Sequence, residues 1–337
     1  MESLKLDKDK LKDFIAALDS KKVYAPQKVG ETIKFAPVNG DLEVSLDFAN
    51  TTVPPKEIVF PQTETMFLFE QGGTDINLTK GGAEKVLLGV RPCDARAMSV
   101  VDNLFSWDID DPYYLDKRKK ITLVGLACLE PPLNCFCPSV GGGPASTEGL
   151  DILMTDLGDA YLFQPLTPKG EQLCQLSSEL LQPAGAEDNA RAEELHREAE
   201  KKITREVDIK GLAEGLPSLW KSEIWKEVAE PCLGCGICTY LCPTCHCFDI
   251  QDEMEGLDGR RCRMWDSCLF KEYTLHASGH NPRPSRRERQ RNRINHKFSY
   301  FVDKFGVTAC VGCGRCINLC PVNIDIVDIL SKVKEAL

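Results

Sequence analysis

The chain has 337 residues, 42% of them hydrophobic and 27% charged, so it is long enough for two or three domains and is neither disordered nor fibrous as a whole. Its net charge of −10 argues against nucleic acid as the main partner. The first ten residues are charged where a signal peptide needs an apolar run, and no run of about 18 apolar residues occurs. We therefore expect a cytoplasmic protein without membrane insertion.

The N-terminal part shows short periodic segments. Apolar residues at helical spacing predict a helix over residues 11–19, and alternation predicts a strand over 42–48. Prolines and threonines predict an irregular segment over 48–69.

Two short apolar runs, Lys85–Val90 and Ile121–Leu126, are rich in β-branched residues and predict buried strands. The residues between them, 94–105, have helical composition. A strand–helix–strand unit of this kind predicts a parallel sheet, with a third strand at 151–155.

From residue 169 to about 228 the apolar spacing is helical, with many charges. The patterns together predict an α/β N-terminal domain over 1–168, a helical bridge over 169–224, and a mainly helical two-cluster ferredoxin-like domain over 225–337. The helical character of the last domain is inferred from the composition of residues 243–309.

Seventeen cysteines are the unusual feature of the composition. Disulfides are rare in a reducing compartment, so cysteines clustered at short, fixed spacings indicate metal ligands. One spacing, C-x2-C-x2-C-x3-C-P, occurs twice, at Cys232, Cys235, Cys238 and Cys242 and again at Cys310, Cys313, Cys316 and Cys320.

The repeated spacing is the ligand run of bacterial ferredoxins with two [4Fe–4S] clusters, in which the fourth cysteine of each run ligates the other cluster. The first cluster is expected on Cys232, Cys235, Cys238 and Cys320. The second is expected on Cys242, Cys310, Cys313 and Cys316. Zinc, which usually takes two C-x2-C pairs, is the alternative.

A further group of cysteines lies in the predicted α/β domain. Cys93 and Cys128 each follow a predicted parallel strand, and Cys135 and Cys137 precede a glycine-rich turn. The ends of parallel strands meet at one sheet edge, where α/β proteins usually bind ligands. A third [4Fe–4S] cluster on Cys93, Cys128, Cys135 and Cys137 is therefore expected, and a few buried or redox-active thiols are the alternative.

Three more cysteines, Cys245, Cys247 and Cys268, are interpreted as residues that line a cluster or hold a further metal. Cys174 and Cys262 are interpreted as packing residues. Residues 281–297 contain seven basic residues and one acid. Such a run is expected to stabilise the anionic clusters and raise their potentials; a subunit interface and a solvated helix are the alternatives.

Motifs along nearly the whole chain resemble one family. They are Pro54-Pro-Lys-Glu, Phe60-Pro-Gln-Thr-Glu64, Gly89-Val-Arg-Pro-Cys-Asp94, Cys135-Phe-Cys137, Cys242-Pro-Thr-Cys-His-Cys247, Trp265-Asp-Ser-Cys268 and Gly279-His-Asn281 followed by the arginine run. The chain resembles the iron–sulfur beta subunit of soluble sulfhydrogenases and the related iron–sulfur subunit of anaerobic sulfite reductase. The resemblance implies an intermediary that carries electrons between a flavin subunit using NAD(P)H and a separate catalytic subunit.

No G-x-G-x-x-G motif follows a predicted strand, so flavin and nucleotide binding are expected in a partner. The leading hypothesis is an electron-transfer subunit of a multi-subunit anaerobic oxidoreductase, in which catalysis belongs to other subunits. One alternative is a self-contained iron–sulfur enzyme acting on sulfur or disulfide substrates; an iron–sulfur sensor is another.

Overall fold

The computed structural model describes residues 2–39, 44–73, 75–79 and 82–337. The strands are β1 (Leu4–Asp7), β2 (Lys22–Val29), β3 (Thr32–Pro37), β4 (Thr63–Glu70), β5 (Ile76–Leu78), β6 (Lys85–Val90), β7 (Ile121–Leu126), β8 (Ile152–Asp156), β9 (Ala160–Pro165), β10 (Gln182–Pro183), β11 (Phe248–Glu255) and β12 (Asp258–Trp265). The helices are α1 (Leu11–Ala16), α2 (Pro92–Phe105), α3 (Pro112–Lys119), α4 (Pro168–Gln175), α5 (Ala186–Lys201), α6 (Leu212–Gly215), α7 (Ile224–Ala229), α8 (Ile237–Tyr240), α9 (Arg286–Asn295), α10 (Phe301–Phe305), α11 (Arg315–Asn318) and α12 (Ile326–Glu335). None of the helices in these ranges combines the length and apolarity that a membrane span needs.

The larger sheet has eight strands in the order β10-β1-β9-β8-β7-β6-β2-β3. Its centre is parallel: β2 pairs with β6, β6 with β7 and β7 with β8. The predicted bounds of β6 and β7 are confirmed, and β8 begins one residue after the expected start. The chain is therefore a mixed α/β protein whose parallel strands end at a common edge.

Alternate side chains of the central strands pack on opposite faces of this sheet. Val86 and Leu88 join Phe14 of α1 and Leu173 of α4 in one core. On the other face, Leu87 packs with residues of α2 and α3. Because both faces are covered, the strands carry continuous apolar runs, as buried parallel strands do.

The smaller sheet is antiparallel, in the order β11-β12-β4-β5, and corrects two expectations. Residues 63–69, predicted to be irregular, belong to β4. In the insertion 243–309, predicted to be helical, residues 248–265 form the hairpin of β11 and β12. Both errors have one physical cause, because β4 pairs with β12 and each strand depends on a partner far away in the sequence.

Two expectations near the N-terminus are also corrected. Helix α1 ends at Ala16 and is shorter than predicted. Of the strand predicted over 42–48, Leu42 and Glu43 lie outside the described residues. Val44 makes a single bridge to Gln27, and residues 45–48 form no strand.

Arg263 joins the two halves of the chain. Its guanidinium is buried and donates to Glu64 of β4 at 2.8 Å and to Asp111, before α3, at 2.5 Å. The neighbouring Trp265 donates from its indole nitrogen to the carbonyl of Phe60 at 3.0 Å. The hairpin is thereby held against the segment that precedes β4.

The C-terminal helices share a core of their own, which includes Trp225, Phe298, Leu330 and, from the N-terminal half, Phe136. Helix α9 continues through a π-helical turn, His296–Tyr300, into α10. Such turns often occur at functional sites. The structure also shows α4 packed against the larger sheet, and the boundaries predicted at 168 and 224 remain predictions.

Helix α9 begins with a capping box, in which Ser285 accepts from the backbone amide of Arg287 at 3.2 Å and Glu288 accepts from the amide of Ser285 at 3.0 Å. Replacing Ser285 with alanine removes the hydroxyl oxygen that accepts from the amide of Arg287. We expect Ser285→Ala to lower the free energy of local opening of this turn by about 1 kcal/mol. Hydrogen exchange of the backbone amides in the first turn of α9 measures this free energy of local opening. Ser178→Ala, at an exposed serine, should leave the exchange unchanged.

Candidate metal centre

The cysteines predicted for the first cluster surround one cavity. Its lining includes Cys232, Cys235, Cys238 and Cys320, and also Cys316. The two motifs are thus folded together as the ferredoxin spacing predicts. Gly236 has a φ of +77°, and a side chain there would meet the ring of Phe270, so the tight turn between two of these cysteines requires glycine.

The cysteines predicted for the second cluster lie between two cavities. Burial is the main cause that raises the pKa of the thiols of Cys310, Cys313 and Cys316. The thiol of Cys242 is close enough to each of them to raise that pKa further. Cys316 also lines the first cavity, and Cys313 lines a further one. The second set of thiols therefore lies in the middle of the cysteine array.

The four cysteines predicted for a third cluster line that further cavity. Cys93 lies in the first turn of α2 after β6, and Cys128 follows β7, so both are at the edge where the parallel strands end. Cys135 and Cys137 come from the next loop, whose residue Phe136 donates from its amide to the carbonyl of Gly312 at 2.9 Å.

A buried ion pair holds the third group of cysteines against the second. Arg315, beside Cys316, donates to both carboxylate oxygens of Asp94, at 2.6 and 2.8 Å. It also donates to the carbonyl of Thr51 at 2.8 Å. Asp94 directly follows Cys93, so the pair sets the position of one cysteine group relative to the other.

Three buried cations lie among the cysteines without a carboxylate partner. Among the described residues no ion pair includes Lys56, Arg293 or Lys297. Lys56 donates to the carbonyls of Cys242 and Cys245, both at 2.8 Å, and Lys297 lies 3.3 Å from the sulfur of Cys242. Burial alone would lower the pKa of Lys297, but the nearby thiolates outweigh it and raise that pKa.

These observations test whether iron–sulfur clusters fit. Unpaired buried cations are costly, and the negative charge of a thiolate-bound cluster offsets that cost. Nε of Arg293, a donor at the first cavity, is buried without a partner, and Gln290 donates from its amide nitrogen to the sulfur of Cys232 at 3.1 Å. In the described ranges no three cysteine, histidine or carboxylate side chains are arranged to hold a single metal ion, which disfavours zinc. The residues present fit clusters.

Comparison with known proteins agrees with this geometry. Residues 231–324 match the family model of the 4Fe-4S dicluster domain. The whole chain is 34% identical, over 339 aligned positions, to the whole of sulfhydrogenase 2 subunit beta from Pyrococcus furiosus. The chain belongs to the family of sulfhydrogenase beta subunits. No solved structure matches it.

Membership of this family makes the chain an iron–sulfur subunit of an oxidoreductase, with an electron-transport role. The dicluster domain accounts for two [4Fe–4S] clusters. The resemblance of the sequence to the sulfhydrogenase beta subunits is thereby confirmed.

Sequence reasoning missed some residues around these centres and placed others only roughly. Lys56 belongs to one of the motifs but has no role predicted from the sequence, and its ammonium lies 4.1 Å from the centre of the Trp265 ring. Of the basic run, Arg293 lines the first cavity, whereas Arg291 stacks on Trp220 at 3.6 Å. Cys174 and Cys262 are buried in packed regions, as predicted.

Proposed function

We propose that this subunit relays electrons between a flavin subunit that uses NAD(P)H and a separate catalytic subunit, in a cytoplasmic anaerobic complex. Bound clusters supply one-electron transfer. The chain's own residues fix the spacing of the clusters and adjust their potentials through burial, charge and hydrogen bonds to sulfur.

The proposal assigns a cluster to each predicted group of four cysteines. A continuous path is supported because the second group contacts the cavities of both other groups. Cys316 of the second group lines the cavity of the first group, and Cys313 lines the cavity of the third group. The second group is therefore central, and the first and third groups are the two ends of the path.

Both ends approach the protein surface. Cys235 of the first group is exposed, and Leu233 beside it is 61% exposed. Near the third group, Leu133 is 88% exposed. An exposed apolar side chain beside a redox centre suits a docking position for another subunit. We place one partner at each end.

The third cluster can be tested by iron analysis of protein purified under argon. We expect the double variant Cys128→Ala/Cys135→Ala to contain about four fewer irons per chain than the parent. Cys174→Ala, at a buried thiol outside the array, is the control and should lose none. Full iron retention in the double variant would remove the third cluster from the path.

The relay itself can be tested with the same proteins. The isolated chain should accept electrons from an artificial donor without turning over a substrate, since catalysis belongs to a partner. Turnover of a sulfur or disulfide substrate by the chain alone would favour the self-contained enzyme instead.

Lys297 offers a test of charge control over potential. Its ammonium is buried 3.3 Å from the sulfur of Cys242, and reduction adds a negative charge to the bound cluster. We therefore expect Lys297→Met to lower the reduction potential of the second cluster. An EPR-monitored redox titration measures it. Lys12→Met, at an exposed position of α1, removes the same charge and should leave the potentials unchanged.

A further inference from the structure

Three cysteines outside the three groups surround a cavity of their own. Cys245, Cys247 and Cys268 line one cavity. The sequence gives these residues no ferredoxin spacing. Their convergence is produced by the fold.

The hairpin of the smaller sheet brings them together. Phe248 at the start of β11 pairs with Trp265 at the end of β12, so the residues flanking the hairpin's open end are neighbours. There the amide of Asp266 donates to the carbonyl of Cys247 at 3.0 Å. Cys268 follows two residues later, and its thiol is in contact with that of Cys247.

The wall of this cavity is basic. Arg293 and Lys297 line it, and no carboxylate does. Lys56, which does not line the cavity, donates to the backbone carbonyl of Cys245. Such surroundings stabilise several thiolates and an anionic inorganic core together.

We propose that Cys245, Cys247 and Cys268 bind an additional [4Fe–4S] cluster, in which one iron has no cysteine ligand. The lining offers only three thiols, and among the described residues no arrangement suits a single metal ion. The thiol of Cys242, a residue of the second group, contacts that of Cys245. The new site is therefore a side branch beside the centre of the path, and an iron without a cysteine ligand would be free to bind a small anionic ligand.

Iron analysis and EPR under argon test the site, with cyanide as the probe ligand. We expect Cys247→Ala/Cys268→Ala to lose about four irons per chain, and cyanide to alter part of the EPR signal of the reduced parent but not of the variant. The matched control is Cys262→Ala, a buried thiol on β12 that does not line the cavity. It should retain both the iron and the cyanide response.

The proposal is overturned if the double variant keeps the parent's iron, as it would if these thiols formed a disulfide, or if cyanide leaves the parent's spectrum unchanged. Unaltered EPR signals of the other clusters report that the variant has folded, and Cys245→Ala provides a second, milder variant. The inference is independent of the third cluster. Loss of iron in Cys128→Ala/Cys135→Ala tests that cluster, whereas loss in Cys247→Ala/Cys268→Ala tests this one.

Discussion

Arg315→Met is expected to lower the free energy of unfolding by about 3–5 kcal/mol, because it leaves the carboxylate of Asp94 buried without a counter-charge. Both side chains are almost wholly buried, at 3% and 1% exposure. Anaerobic urea unfolding, followed by circular dichroism and by the visible absorbance, measures the loss. We expect the visible absorbance to fall first, since the pair lies between two groups of cysteines.

The double variant Arg315→Met/Asp94→Asn is the control for this prediction. Because both charges are removed, it should recover a large part of the lost stability. Two equally unstable variants would mean that the hydrogen bonds of Arg315 to Thr51 and Asn50, and not its charge, hold the two halves together.

Gly312→Ala is expected to cost about 2–4 kcal/mol, the sum of a left-handed backbone and a steric clash. Gly312 has a φ of +64°, and a Cβ there would lie 2.5 Å from the amide nitrogen of Cys137 and 2.6 Å from its Cα. Backbone atoms cannot rotate away as a side chain can. The loop that carries Cys135 and Cys137 must therefore move away from the second group of cysteines.

The measurable results of Gly312→Ala are a lower unfolding midpoint and loss of iron from the third site. Gly306→Ala is the matched control, since Gly306 has a φ of +72° and nothing within 4 Å of its added Cβ. It should show the conformational cost alone and keep its iron. Equal iron loss in the two variants would show that the close approach to Cys137 has no bearing on the third site.

For the predicted cluster ligands, the local spacing of cysteines in the sequence was enough to predict which thiols lie close together. A C-x2-C-x2-C run places three thiols around one centre through a few bonds of backbone, so Cys232, Cys235 and Cys238 meet in one cavity as expected. Cys93 and Cys128 were also predicted correctly to converge, because parallel strands have their ends on one edge.

The convergence of Cys247 with Cys268 had no comparable local signal. It depends on the register of β11 with β12 and on β4, which pairs with β12 from the other half of the chain. The same pairing explains why residues 48–69, which contain Pro54, Pro55 and Pro61, are predicted to be irregular although they include most of β4.

By itself the sequence determined the parallel strands, the two ferredoxin motifs and the resemblance to sulfhydrogenase beta subunits. Each of these is recognised from short runs of neighbouring residues. Only the tertiary structure decided that neighbouring cysteine groups line the same cavities and that Cys245, Cys247 and Cys268 line a further one. It also decided that Lys56 and Lys297 lie among these cysteines without a carboxylate partner in the described part of the chain. The physical reason is that these properties depend on contacts between residues far apart in the chain, which no local pattern of apolar or cysteine spacing encodes.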